Sequence, residues 1–194
     1  MHHIYTTEAF IIKSFSLGEA NRGYFLFTKD LGLVKATAQG VRLQKSKLRG
    51  HLNNFSLINI SLVKGREIWR ITNVETVLFN PFSKDTKKIE TIKNIFSLLA
   101  RLVHGEEKNE NLFDVLKTFY IYLSESEISD DNLKNLEVLI ALRILSNLGY
   151  FKKEIANIEF EESSILSKEI IESISSKRRE YIKQINDILK ETHL

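Results

Sequence analysis

The sequence predicts an α+β protein in two parts, a five-stranded β-barrel over residues 1–79 and an α-helical domain over residues 80–194. Three observations lead there. Six of the eight glycines (Gly18, Gly23, Gly32, Gly40, Gly50, Gly65) precede residue 66, and only Gly105 and Gly149 follow; the change in density marks a change from turns to helices. The apolar pattern changes with it, from short β-branched and aromatic runs to helical i, i+3, i+4, i+7 spacing. The only proline, Pro81 in LFNPFSK, sits at the seam. It restrains Asn80 to an extended backbone and cannot continue a ladder.

Five runs of strand length come first: Ala9 to Phe15, Gly23 to Thr28, Leu33 to Ala38, Phe55 to Val63 and Ile68 to Val77. The segments between them (SLGEANR, KDLG, a long basic loop, KGRE) carry turn chemistry. Five strands with a longer third connection fit a small closed barrel of the oligonucleotide-binding (OB) type, in which one face and its flanking loops grip single-stranded nucleic acid. An open sheet is the alternative. Within GYFLFT, Phe25 and Phe27 share one face and Tyr24 and Leu26 the other, so one set is expected in the core.

Beyond the seam, Ile92, Ile95, Phe96, Leu99, Leu102 and Val103 form one amphipathic helix that ends at His104 and Gly105. Leu112, Val115, Leu116, Phe119, Tyr120 and Leu123 form a second, starting near Asn109 to Asn111 and ending before Ser124 to Ser129. Ser129 reads as an N-cap, with Asp130 and Asp131 favourable in the first turn. From Leu136 to Leu148 the chain is apolar almost all round, the pattern of a helix buried at the centre of a bundle, and Gly149 stops it. Ile155 to Phe160 is ambiguous, and helices near 165–174 and 177–190 close the domain.

With 43% hydrophobic residues the chain has enough apolar mass for ordinary cores. No apolar run reaches the ~18 residues needed to cross a bilayer, and the start MHHIYTTEAF has no signal-peptide pattern. A cytoplasmic, nucleoid-associated protein with no membrane contact is expected. The absence of Cys removes disulfides, thiolate zinc sites and Cys nucleophiles together. Charge is uneven: through Val77 there are eleven Lys+Arg against five Asp+Glu, and after it seventeen against twenty. Residues 31–66 hold Lys35, Arg42, Lys45, Lys47, Arg49, Lys64 and Arg66 without a single Asp or Glu. Such a run on a β module suits the phosphates of a polyanion, whereas an ordinary solvated loop mixes signs.

Catalytic patterns are missing. There is no GK dipeptide for a P-loop, no GxG spacing, no GxSxG and no HExxH. A non-enzymatic protein without cofactor or metal is expected. His2 and His3 read as a solvated tail, and helix capping explains Asp130 and Asp131 better than metal binding does. Phe10, Phe15, Tyr24, Phe25, Phe27, Phe55 and Trp69 are interleaved with the basic residues, as rings that stack unpaired bases would be. Most are expected in the core, with one or two reaching solvent.

The segment from YTTEAFIIKSF to IWRITNVETV resembles the N-terminal domain of the RecO family of bacterial recombination mediators. The likeness lies in the order of GEANR, FTKDLG, AQGVR...KSKLRG, LNNFSL and the glycine turn before IWRI. Farther on, LRILSNLGY resembles that family's helix ending in LGY, and KRREYIKQINDIL its closing helix. The resemblance implies an OB barrel joined to a helical domain, binding to single-stranded and double-stranded DNA, and annealing of complementary strands. It also implies partnership with RecR and remodelling of the single-strand-binding protein SSB so that RecA can load. Many members carry a four-Cys zinc module after the LGY segment; here the region is short and Cys-free, and the helical domain is shorter than the family's.

Lys35, Arg42, Lys45, Lys47, Arg49, Lys64, Arg66 and Arg70 are therefore assigned to DNA phosphates, with Arg22 and Lys13 as secondary candidates. Arg143 and the Lys177, Arg178, Arg179 cluster are candidates for the acidic C-terminal tail of SSB. Their ordinary readings are pairing of Arg143 with Glu137 or Glu172, and capping or solvation of a helix end by the cluster. Two other functions stay open: a protein-interaction adaptor working through the helical bundle, and an OB-fold RNA binder.

Overall fold

The computed structural model describes residues 3–78, 82, 84–150 and 165–191. Asn80, Pro81 and the ambiguous stretch from Ile155 to Phe160 lie outside the described residues. The chain divides into two compact units: Met1–Ser83 with Val103–Glu110, and Lys84–Leu102 with Asn111–Leu194.

The first unit is a closed barrel of β1 (Ile4–Leu17), β2 (Asn21–Thr28), β3 (Gly32–Ala38), β4 (Leu57–Lys64) and β5 (Trp69–Leu78), in the order β1-β2-β3-β5-β4. Neighbours run antiparallel except β3 and β5, which meet in parallel over two rungs, Ala36 with Trp69 and Thr37 with Arg70. Closure depends on the length of β1. Its first part, Ile4 to Phe10, pairs with β4, and its second, from Ala9 onward, pairs with β2. A register shift between Ile11 and Lys13 supplies the bend that carries one strand round the wall. Ile11, Tyr24, Leu26, Val34, Ile58, Ile60, Leu62, Trp69 and Ile71 fill the interior.

Three expectations are corrected. β1 begins at Ile4 rather than Ala9, and its polar YTTE start is an end whose Ile4 and Tyr5 are exposed, so it lacks an apolar signature. β4 begins at Leu57 rather than Phe55, because Phe55 takes a left-handed φ of 66° and turns the chain first. The two faces of β2 do not divide into core and solvent. Tyr24, Leu26 and Phe27 are all buried, and only Phe25 is half-buried. Phe27 lies opposite Phe10 on β1, and both are fully covered on the outer wall.

The second unit contains α1 (Thr86–Leu102), α2 (from Glu110, through Glu125), α3 (Asp130–Asn147), α4 (Lys168–Ser173) and α5 (Arg178–Glu191), with a 3-10 turn at Ile174–Lys177. α1 buries Ile92, Ile95, Phe96, Leu99 and Leu102, the stripe that its spacing predicts. Ser129 caps α3: its hydroxyl oxygen accepts the Asn132 N–H at 3.3 Å. α3 is buried almost all round and packs against α1, α4 and α5. Two polar residues interrupt its buried side, Arg143 and Asn135; Asn135 is wholly covered and accepts a hydrogen bond from Arg178 Nη1 at 2.9 Å.

Candidate nucleic-acid interface

The basic loop after β3 is folded. Leu43, Ser46, Arg49 and His51 each donate their backbone N–H to the carbonyl three residues back, at 3.1 to 3.4 Å, so the loop is a chain of turns. Val41 and Leu52 are buried in the barrel core and Leu48 packs against it, which leaves Arg42, Lys45, Lys47 and Arg49 exposed between these anchors. Both ends are pinned. Arg42 donates its N–H to Ala20 and its Nη1 to Gly18, both carbonyls of the β1–β2 turn, and His51 Nδ1 lies 2.8 Å from Thr76 Oγ1 on β5. Arg42 thus spends part of its guanidinium on structure, while Lys45, Lys47 and Arg49 have no acidic partner among the described residues.

A second group lies on the outer wall. Lys13 on β1, Phe25 on β2 and Lys35 on β3 are directly opposite one another in register, and both lysines are exposed. Arg70 on β5 is in register with Thr37 two residues past Lys35. Arg22, also exposed, sits opposite Ala38 near the mouth of the β1–β2 turn. A third group is at the β4–β5 turn. Lys64, Arg66 and Arg70 join Thr37, Gln39 and Glu67 around a cleft of about 420 Å³. Three cations against one carboxylate make it an anion-attracting recess.

The positive face is nevertheless not unopposed in space, as the sequence run had implied. Glu106, from the connection between α1 and α2, accepts Lys64 Nζ at 3.0 Å and the Trp69 indole N–H at 2.7 Å. Lys64 also lies 5.2 Å from the Trp69 ring centroid. Partial burial of the Glu106 carboxyl favours its neutral form, but the hydrogen bonds from Trp69 and Lys64 outweigh that and hold it below the usual glutamate range. The same connection meets the barrel again, where Leu33 donates its N–H to Gly105 O and Lys108 lies 3.5 Å from Asp30. Gly32 allows this approach: a Cβ there would fall 2.2 Å from the Glu107 carbonyl oxygen. Sequence reasoning missed Glu106 because it is 42 residues from Lys64 and no local pattern links them.

In the helical unit the four basic candidates separate. Lys177 and Arg179 are exposed. Arg178 holds the start of α3 through Asp131 Oδ1 at 2.7 Å and Asn135 Oδ1 at 2.9 Å. Arg143 is 1% exposed and donates Nη2 to the Ile165 carbonyl, and among the described residues Nε and Nη1 have no partner. Its expected pairing with Glu137 or Glu172 is corrected. Glu137 lies six residues earlier on the same helix, about 240° round the axis, and accepts Asn94 Nδ2 instead. Glu172 is engaged by Lys168 and Asn132.

A closed β1-β2-β3-β5-β4 barrel with outward cations, followed by helices, defines the class: an OB-barrel protein with an appended helical domain. Residues 1–79 match the family described as Recombination protein O N terminal. The DNA repair protein RecO of Chlorobium limicola is 30% identical over 151 residues, covering 76% of this chain and 56% of the relative. That of Caldanaerobacter subterraneus subsp. tengcongensis is 29% identical over 147 residues, 74% of this chain and 58% of the relative. For Dehalococcoides mccartyi the identity rises to 41% over 75 residues, 39% of this chain and 30% of the relative. The barrel, residues 1–79, belongs to the RecO N-terminal family, and the chain as a whole is similar to RecO proteins. The chain spans about half the length of several curated relatives it matches.

Proposed function

We propose that this chain is a DNA-binding mediator of recombinational repair. In this reading it binds single-stranded and duplex DNA through its barrel, anneals complementary strands, and acts with RecR to help RecA load onto SSB-coated DNA in the cytoplasm. The observation that carries the reading is the basic loop, whose Lys45, Lys47 and Arg49 project from a backbone anchored by Val41, Leu48 and Leu52. Cations fixed in this way lower the repulsion between two phosphate backbones without any bond chemistry, and that is what annealing requires. Lys35, Lys64, Arg66 and Arg70 extend the field around the barrel. For an acidic SSB tail, Lys177 and Arg179 are the accessible pair among the four candidate cations of the helical unit, since Arg143 is buried and Arg178 is engaged.

The test is fluorescence anisotropy of labelled single-stranded DNA across a salt series, with wild type and a Lys45→Ala, Lys47→Ala, Arg49→Ala triple variant. The variant is expected to bind more weakly, with a log–log salt slope shallower by up to ~2 units at ~0.7 per lost phosphate contact. Equal slopes would remove the basic loop from the DNA interface, and no binding by wild type at low salt would remove the DNA-binding reading.

A further inference from the structure

We propose that Phe15 and Phe25 form a stacking platform for unpaired bases on the outer wall of the barrel, and that Lys13 and Lys35 hold its rings until a base arrives. The proposal deepens the DNA-binding reading and rests on it. Of the six rings on β1 and β2, Phe10, Tyr24 and Phe27 are buried, and Tyr5 is exposed at the start of β1 with its ring edge-on to Trp69; Phe15 and Phe25 are half-exposed. They are diagonal neighbours across the β1–β2 pair, with centroids 5.6 Å apart and planes tilted by 48°. A base sandwiched between two rings needs a separation of about 7 Å, twice the stacking distance. The pair is too close for that, so each ring has only an outer surface to offer.

Gly23 makes room for the arrangement. It lies opposite Phe15 in register, and the Phe15 ring spreads over its Cα: a Cβ there would fall 2.2 Å from Phe15 Cζ. The ring therefore lies down on the strand instead of standing off it. Both rings carry a cation. Lys13 Nζ is 4.9 Å from the Phe25 centroid and Lys35 Nζ is 5.4 Å from that of Phe15. Arg70 stands one strand beyond, on the row Phe15, Gly23, Thr37, Arg70. None of these three cations has an ion pair with a carboxylate among the described residues.

Aromatic rings bordered by cations that lack a counter-anion fit a ligand with both a flat apolar part and a negative charge. A nucleotide of a single strand is such a ligand. A duplex keeps its base faces stacked inside and presents phosphates and groove edges. An exposed cation–π contact is weaker than base–aromatic stacking, so a base displaces the ammonium from the ring, and the freed lysine turns to the adjoining phosphate. The two contacts replace one another on the same ring.

The experiment compares binding of a labelled oligothymidylate with that of an abasic oligomer of equal length, which keeps the phosphates and removes the bases. Wild type is expected to prefer oligothymidylate. Phe15→Ala and Phe25→Ala are expected to weaken oligothymidylate binding by about 5- to 100-fold while leaving abasic binding and the salt slope unchanged. Phe25→Leu, which keeps an apolar side chain without a π face, is expected to repeat the loss in a folded protein. Phe15→Trp is expected to keep affinity, its emission quenched by oligothymidylate and not by the abasic oligomer, with buried Trp69 a constant background. Equal wild-type affinity for both oligomers, or Phe variants that weaken both alike, overturns the platform while the basic-loop reading stands. Binding of neither oligomer overturns both.

Discussion

Glu106 is the residue at which two requirements meet. Its carboxylate neutralises Lys64 and orients the indole of Trp69, the only tryptophan of the chain, so it occupies a position that a phosphate would otherwise compete for. Glu106→Gln is expected to strengthen single-strand binding about 2- to 5-fold at low salt, the scale of an exposed ion pair, with the gain vanishing as salt rises. The same contact predicts a pH signature. The folded-state pKa of Glu106 is depressed, so the stability it contributes is fully present above the ordinary glutamate value of 4.5 and is lost as pH falls through the lower folded value. Trp69 emission should shift over that acid window, and Glu106→Gln should remove the shift. Arg143 is the opposite case: burial pulls its pKa below the usual guanidinium value, and two of its nitrogens lack partners among the described residues. Arg143→Met is expected to raise stability by about 1–3 kcal/mol, the scale of a relieved unsatisfied polar group, measured by urea denaturation. A loss of stability would mean that the guanidinium is satisfied.

The elements form where local chemistry and tertiary environment agree. Ser129 is such a point: its cap bond to Asn132 and the clamp from Arg178 to Asp131 secure the first turn of α3. Ser129→Ala is expected to cost about 1 kcal/mol, visible as a lowered thermal midpoint with DNA binding intact. The central strands and α1 to α3 were legible because each has one face or stripe in a core and a turn signal at its end. The exposed start of β1 was not, since Ile4, Tyr5 and Thr6 answer to the ladder with β4 rather than to burial. Of the candidate site, the cations of the loop could be read because sign is a property of the residue itself. Phe15 and Phe25 could not be singled out, because alternation assumes a solvated outer wall and part of this wall is covered at Phe10 and Phe27. Glu106 depends on a contact between segments far apart in sequence.

At the scale of the molecule the chain enters the barrel twice. Residues Val103–Glu110 belong to the first unit although they lie between α1 and α2, and they deliver Glu106 to Trp69 and Gly105 to Leu33. A fragment comprising residues 1–79 would lose those partners. It is expected to show red-shifted Trp69 emission and a lower urea midpoint than a fragment of residues 1–110, and equal behaviour would show that the connection contributes nothing to the barrel. The uneven charge of the chain acts at this scale too, since the surplus of cations is carried by the part that holds the barrel.

The turns that coil the basic loop have a kinetic consequence. Because Val41, Leu48 and Leu52 already hold its backbone, little ordering remains to be done when a strand arrives, and the encounter is limited by diffusion in an electric field rather than by a search among loop conformations. In the DNA-binding reading proposed above, salt should therefore act chiefly on the association rate.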